Sequence, residues 1–95
     1  MIVTLRQMQY VVSVAKHGSF SKAAEECSAD QSTVSQQIKT FEERLGISIF
    51  DRNTLPITIT NEGKEVVLKC ESIINQVDGL IQPFKKSRTD SSLNR

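Results

Sequence analysis

Residues 18–45 read GSFSKAAEECSADQSTVSQQIKTFEERL and contain two short amphipathic helical patterns separated by a tight polar turn. The apolar residues are Phe20, Ala23, Ala24 and Cys27 in the first pattern, and Val34, Ile38, Phe41 and Leu45 in the second. Spacings of three and four residues give each helix one buried face. Because only residues 27–30 join the two helices, they must cross steeply, and the second stays exposed. The stretch therefore predicts a helix-turn-helix, whose second helix can enter the major groove of DNA.

Capping residues define three helices around this motif. The predicted N-caps are Thr4 (in a capping box with Gln7), Ser19 and Asp30. They precede helices expected at about 5–16, 20–27 and 31–45, the last of which ends at Gly46 in a left-handed conformation. The charged residues 42–44 at the end of the third helix are predicted to form a solvated face.

After residue 46 the apolar period changes from helical to alternating. Ile47 and Ile49, then Ile57 and Ile59, alternate with polar residues, and residues 53–56 interrupt the run. This pattern predicts a short two-stranded ribbon, the wing of a winged helix.

A long amphipathic helix follows, capped by Thr60. Its apolar residues at alternating spacings of four and three are Val66, Cys70, Ile73, Val77, Leu80 and Phe84, with Val67, Ile74 and Ile81 beside them. This heptad seam is predicted to pack on a second copy of the chain rather than fold back on its own core. The predicted homodimer interface is Tyr10, Val14, Val66, Cys70, Ile73, Ile74, Val77, Leu80 and Ile81.

These patterns divide the chain into three segments and predict a mainly α fold. Residues 1–60 form the winged helix-turn-helix domain, with three helices and a short two-stranded wing. Residues 61–84 form the linker and dimerisation helix, which Pro83 ends or kinks. Residues 85–95 form a polar tail that is predicted to be disordered.

Composition excludes several functional classes. The chain lacks an apolar run that could span a bilayer and a signal peptide, so we expect a soluble cytoplasmic protein without membrane contact. Two widely separated cysteines and one histidine, His17, predict no metal site, no cofactor and no catalytic residues. His17 is expected to act as a helix cap or to face solvent. A packing role is expected for Cys70, with redox chemistry as the alternative.

The first turns of the third helix carry the candidate DNA-reading residues. Gln31, Ser32, Thr33, Ser35 and Gln36 are short or uncharged hydrogen-bonding residues opposite the buried face. Glutamine can pair with adenine in bidentate fashion, and serine or threonine can contact base edges or phosphates. The sequence therefore predicts double-stranded DNA as the partner, although a net charge of only +1 gives no electrostatic support.

The chain resembles the N-terminal DNA-binding domain of LysR-type transcriptional regulators. The matching segments are Leu5–Met8, Gly18–Ala24, Gln31–Ile38, Phe41–Glu42, Leu45–Gly46, Phe50–Arg52 and Thr60–Gly63. They cover about two-thirds of the chain in one register, and the long helix follows where the family has its dimerising linker helix.

The resemblance implies a bacterial, sequence-specific transcription regulator that binds DNA as a two-fold dimer, with tetramers possible in a full-length protein. It gives Gln31, Ser32, Thr33, Ser35 and Gln36 base- and phosphate-contacting positions. Ser19, Lys22 and Lys39 are then expected at the DNA backbone, and Arg52 at phosphate or the minor-groove edge. A larger effector-binding domain normally follows in the family, so we expect a segment of a longer regulator rather than a protein without ligand sensing.

The chain departs from the family pattern in three places. Gln36 stands where many members have arginine, and Asp30 replaces a serine. At the wing tip, which is expected to contact DNA and is often basic in the family, this chain has Leu55 and Pro56. Because fewer positive charges would approach phosphates, a smaller salt dependence of DNA binding is predicted. The alternative function is a helical dimerisation or protein-interaction module with little affinity for DNA.

Overall fold

The element order confirms a mainly helical winged helix-turn-helix followed by a long helix. The computed structural model describes residues 2–93, with side chains described through residue 83. Its elements are α1 (Leu5–His17), α2 (Phe20–Glu26), α3 (Gln31–Leu45), β1 (Phe50–Asp51), β2 (Thr58–Ile59) and α4 (Asn61–Leu93). Within this part of the chain, no helix is both long and apolar enough to cross a membrane.

Side-chain capping hydrogen bonds form at two of the three predicted helix starts. Thr4 and Gln7 form a capping box, with each side chain accepting a hydrogen bond from the backbone N–H of the other. The Ser19 hydroxyl accepts a hydrogen bond of 3.1 Å from the Lys22 N–H. Asp30 occupies the N-cap of α3, but its side chain makes no capping hydrogen bond. Gly46 ends α3 in the predicted left-handed conformation, with φ of 75°.

The core lies where α1 meets the other helices. Val11 and Val14 of α1 are fully buried, as are Val34 and Ile38 of α3 and Ile49 before the wing. Removing side chains of this size from water stabilises the fold by about 1.5–3 kcal/mol each. Because α1 packs against α2, α3 and α4, it fixes the direction in which α3 projects.

The wing is shorter than the sequence pattern suggested. Strands β1 and β2 are antiparallel, with Phe50 opposite Ile59, and each has two residues. Ile47 and Ile49 were expected in the first strand, but both lie before it. The backbone N–H of Ile49 donates to the Glu42 carboxylate at 2.7 Å, so it is not free for strand pairing.

The start of α4 belongs to the chain's own core, which corrects part of the predicted dimer seam. Val67 and Cys70 are buried, and Val66 packs against the core. Tyr10 and Val14, expected at a dimer interface, are only 5% and 0% exposed. The apolar surface of α1 is covered within the chain, so Tyr10, Val14 and Cys70 leave little surface for a partner.

The helix α4 extends beyond the end that was expected at residue 84. Pro83 lies inside α4, which continues to Leu93 instead of ending at residue 84. A proline removes one hydrogen bond, here to the carbonyl of Gly79, without preventing later residues from adopting helical angles. Residues 85–93 are thus helical, whereas residues 94–95 and the Phe84 side chain lie outside the described part.

Candidate nucleic-acid interface

The outer face of α3 presents the polar residues that the sequence singled out. Gln31, Ser32, Thr33, Gln36 and Lys39 are exposed, and Ser35 is half-buried. The opposite face carries Val34, Ile38 and Phe41, all of them buried in the core. This arrangement gives the first turns of α3 a row of hydrogen-bonding side chains that face solvent on a rigid support.

The start of α2 places two further predicted residues at the surface. Lys22 is exposed, and Ser19 is half-buried at the N-cap. The turn that follows α2 is fixed by Arg6, whose guanidinium donates a hydrogen bond of 2.6 Å to the Cys27 carbonyl. Ser28 then adopts a left-handed conformation with φ of 53°. This short turn sets the angle between α2 and α3.

Arg52 makes contacts within the chain that the sequence did not reveal. Its guanidinium donates to the Ser35 hydroxyl at 2.8 Å and lies 3.5 Å from a carboxylate oxygen of Glu42. It also lies over the Phe20 ring, 4.5 Å from the centroid. Arg52 therefore links the wing to α3 in the free chain, and its expected contact with DNA stays a prediction.

The turn of the wing exposes Leu55 and rests on the turn between α1 and α2. The Leu55 side chain is 90% exposed. A Cβ atom added at Gly18 would lie 2.9 Å from the Pro56 Cβ, and the Ile57 N–H donates to the Gly18 carbonyl at 2.9 Å. Gly18 has φ of 64°, and both this conformation and the close approach favour glycine. The wing therefore has a supported base and an apolar tip.

Two polar residues that anchor α3 were missed or misassigned. Gln7 is 5% exposed, and its amide donates to the Gln37 side chain at 3.1 Å, which joins α1 to α3. Glu42, predicted on a solvated face, instead accepts hydrogen bonds from the backbone N–H groups of Ile49 and Phe50. Gln7 could have been recognised, because it precedes the buried Val11 and Val14 by four and seven residues. No pattern signalled the role of Glu42.

A charged cluster joins α1 to α2 on another side of the domain. Glu26 accepts hydrogen bonds from Ser13 at 2.6 Å and from Lys16 at 3.1 Å. His17, half-buried, lies 3.4 Å from the same carboxylate. Hydrogen bonds from Ser13 and Lys16 are the main causes that lower the pKa of Glu26 to about 2, and His17 adds to them. The cluster thus ties α1 to α2.

The thiol of Cys70 packs in the chain's own core, whereas the sequence placed its packing in the seam between two copies. It is 3% exposed, and burial, with a smaller contribution from Glu71, raises the pKa of Cys70 to about 11. A thiol that stays protonated reacts slowly with oxidants. Within the described residues, no three metal-binding side chains cluster.

Comparison with known proteins identifies relatives of this chain. A family model described as bacterial regulatory helix-turn-helix protein, lysR family, matches residues 5–64. The HTH-type transcriptional regulator CzcR of Bacillus thuringiensis (strain Al Hakam) is 38% identical over 92 residues, which are 97% of this chain and 31% of CzcR. The regulator CfxR of Cupriavidus necator is 39% identical over 75 residues, covering 79% of this chain and 24% of CfxR. The chain thus spans about a quarter to a third of the length of these relatives.

Solved structures show the same fold. The BenM DNA-binding domain in complex with benA site 1 DNA matches with a TM-score of 0.82 and 31% identity, covering 90% of this chain and 97% of that one. Vibrio fischeri DarR in complex with DNA matches with a TM-score of 0.81 and 27% identity, covering 94% of this chain and 30% of DarR. The fold and the family match agree, and the chain belongs to the lysR family of bacterial regulatory helix-turn-helix proteins.

Proposed function

We propose that this chain binds double-stranded DNA as the DNA-binding part of a transcriptional regulator, with the first turns of α3 in the major groove. The observation that carries this proposal is the solvent-facing row Gln31, Ser32, Thr33 and Gln36 on a helix whose other face is anchored in the core. The relatives solved in complex with DNA support it. In a bacterial family, chromosomal DNA implies a cytoplasmic location.

The chemistry of the exposed row favours reading of base edges over bulk attraction to phosphate. Gln31 and Gln36 can each donate to and accept from adenine, while Ser32 and Thr33 can bond to bases or phosphates. Lys39 follows the same row on α3, and Ser19 and Lys22 lie at the start of α2. These side chains would contact the DNA backbone. Such backbone contacts fix the register of a protein on DNA without reading its sequence.

The wing of this chain is expected to contribute to DNA affinity in a different way from a basic wing. Leu55 supplies an exposed apolar side chain at the tip, and Arg52 is bonded to Ser35 and Glu42. An arginine inserted in a narrow minor groove is attracted by its negative potential, and leucine has no such attraction. The wing would therefore add little to the electrostatic part of the affinity.

We further propose that two copies associate through the distal part of α4. Ile73, Leu80 and Ile81 are 39%, 66% and 43% exposed, and Ile74 and Val77 are half-buried. All five belong to the predicted seam, and the described residues of this chain leave them partly uncovered. A dimer would bury this apolar strip and place two α3 helices on successive half-sites, which gives longer and more selective recognition.

Selection of DNA from a randomised pool tests the proposed function. The wild-type chain is expected to enrich a two-fold symmetric duplex, hereafter the selected duplex. Gln36→Glu places a negative charge on the outer face of α3, and at least a tenfold loss of affinity for that duplex is expected, as for the loss of one bidentate base contact.

Gln82→Glu is the matched control, because it makes the same chemical change at an exposed position of α4. It is expected to keep wild-type affinity. Equal losses in both variants would contradict the placement of α3 at the DNA. Failure to enrich any sequence would instead favour a dimerisation or protein-interaction module.

A further inference from the structure

The hydrogen bond between Arg52 and Ser35 involves one of the residues of the proposed DNA surface. The Arg52 Nη1–H donates to the Ser35 Oγ at 2.8 Å. Ser35 lies on α3 between Thr33 and Gln36, which both face solvent. The wing thus reaches one of the candidate DNA-reading residues directly, and the contact changes what that residue can do.

The arginine is held in place from two other directions. Its Nη2 lies 3.5 Å from Glu42 Oε1, and the Glu42 carboxylate is itself fixed by the backbone N–H of Ile49 at 2.7 Å. The guanidinium also covers the face of the Phe20 ring at 4.5 Å. The Arg52 side chain is therefore only 34% exposed, and its orientation toward Ser35 is set before any DNA arrives.

A serine hydroxyl carries one hydrogen to donate and two lone pairs that accept. In this structure the guanidinium occupies one lone pair of the Ser35 hydroxyl, and among residues 2–83 that hydroxyl donates to no acceptor. A donor group that approached the second lone pair would also meet the positive charge of the guanidinium, which disfavours it. The hydrogen of Ser35 is therefore the group best placed to bond to a partner.

We propose that Arg52 fixes Ser35 as a hydrogen-bond donor, so that the DNA atom opposite Ser35 is an acceptor. The inference rests on the proposed function and adds to it the chemistry of one contact. The acceptors on the phosphates and in the major groove are phosphate oxygens, purine N7, guanine O6 and thymine O4. The amino groups of adenine and cytosine, which are donors, are disfavoured at this position. Arg52 is a positioning residue that acts through Ser35.

A double-mutant cycle separates this role from a general structural one. Ser35→Ala and Arg52→Gln are each expected to weaken binding to the selected duplex about tenfold, the usual effect of losing one hydrogen bond with a charged neighbour. The double variant is expected to bind no more weakly than the weaker single variant, because Arg52 has nothing to position once the hydroxyl is gone. Additive losses would show that Arg52 acts independently of Ser35 and would overturn the proposal.

The salt dependence of binding supplies a second readout from the same proteins. If Arg52 acts through Ser35, Arg52→Gln keeps the wild-type slope of log affinity against log salt. A slope reduced by about 0.9 would indicate that Arg52 itself neutralises a phosphate and would overturn the proposal. Arg52→Lys, which keeps a charged donor, is expected to recover part of the lost affinity.

Atomic substitution of the DNA tests the proposal with Arg52 unchanged, even if Arg52→Gln fails to fold. Analogues of the selected duplex lack one acceptor at a time: 7-deazapurines for N7, 2-aminopurine for guanine O6, 5-methyl-2-pyrimidinone for thymine O4 and methylphosphonates for phosphate oxygens. One of these analogues is expected to bind the wild-type chain about tenfold more weakly than the unmodified duplex does. The same analogue is expected to bind the Ser35→Ala variant as well as the unmodified duplex does. The position identified distinguishes a base contact from a phosphate contact.

Two results would count against the inference in different ways. If the effect that vanishes in Ser35→Ala is that of removing an adenine or cytosine amino group, Ser35 accepts rather than donates, and the proposal fails while DNA binding stands. If the wild-type chain enriches no duplex, the proposed function fails, and this inference fails with it.

Discussion

Gly63 of α4 lies directly against the backbone of Ile49. A Cβ atom added at Gly63 would stand 2.8 Å from the Ile49 Cα and closer still to the Ile49 carbonyl oxygen. That same carbonyl accepts a hydrogen bond from the Thr60 N–H at 2.9 Å, so the backbone there cannot move away easily. The contact sets the position of α4 relative to the segment that leads into the wing.

Gly63→Ala is expected to destabilise the fold because the added methyl group meets backbone atoms. Overpacking of this kind costs about 1–3 kcal/mol of unfolding free energy. Gly79→Ala is the matched control, since nothing lies within 4 Å of a Cβ at Gly79, and alanine in a helix interior gains about 0.5–1 kcal/mol. Urea unfolding at one fixed protein concentration checks both values. Equal stability of the two variants would contradict the close approach.

Glu26 makes the stability of the fold sensitive to acid. Because the pKa of Glu26 falls from 4.5 to about 2 on folding, the ionised carboxylate stabilises the native state. That contribution is complete above pH 4.5 and is lost as the pH falls through about 2. Glu26→Gln is therefore expected to flatten the fall in unfolding free energy between pH 4.5 and pH 2.5.

Urea unfolding as a function of pH measures this difference, with Glu25→Gln as the control. Glu25 is the exposed neighbour of Glu26 on α2, and its substitution is expected to leave the acid sensitivity in that window unchanged. If Glu26→Gln and the wild-type chain lose stability with the same slope, the cluster of Glu26 with Ser13 and Lys16 does not form in solution.

A charge in the distal seam of α4 is expected to prevent association of two copies. Ile73→Asp would bury an unpaired carboxylate at the proposed interface, which costs more than the apolar contact gains. Asn75→Asp adds the same charge two residues away at an exposed position and is expected to leave the dimer intact. Sedimentation velocity distinguishes the two states. A dimeric Ile73→Asp chain would rule out this seam as the interface.

A basic residue at the wing tip is expected to increase the salt dependence of DNA binding. Leu55→Arg would add one phosphate contact, so affinity rises at low salt and the slope of log affinity against log salt steepens by about 0.9. Leu68→Arg adds the same charge on α4, where the side chain is 66% exposed, and should leave the slope unchanged. An unaltered slope in Leu55→Arg would place the wing tip away from the phosphates.

Apolar periodicity predicted the helices well because burial of one face is what it reports. The spacing also accounts for the burial of Val34 next to the exposed Thr33, whereas the bounds of α3 were indicated by Asp30 and Gly46. Periodicity does not show whether an apolar face is covered by the same chain or by a second copy of it. Tyr10 and Cys70 were therefore assigned to a partner although the chain buries them itself.

The sequence patterns did not predict polar contacts between residues that are far apart in the chain. Glu42 binds backbone N–H groups seven and eight residues later, and Arg52 reaches back 17 residues to Ser35. Apolar periodicity predicts neither contact, because both depend on the path of the chain after α3. The sequence thus identified the candidate surface but not the residues that position it.

Titration of the protein with the selected duplex, followed by backbone amide chemical shifts, shows whether residues 31–36 of α3 enter the DNA. We expect the largest shift changes on residues 31–36, with smaller changes near Lys22 and Leu55. Changes concentrated on the distal part of α4 or around Gly46, with residues 31–36 unaffected at saturation, would show that α3 does not bind the DNA.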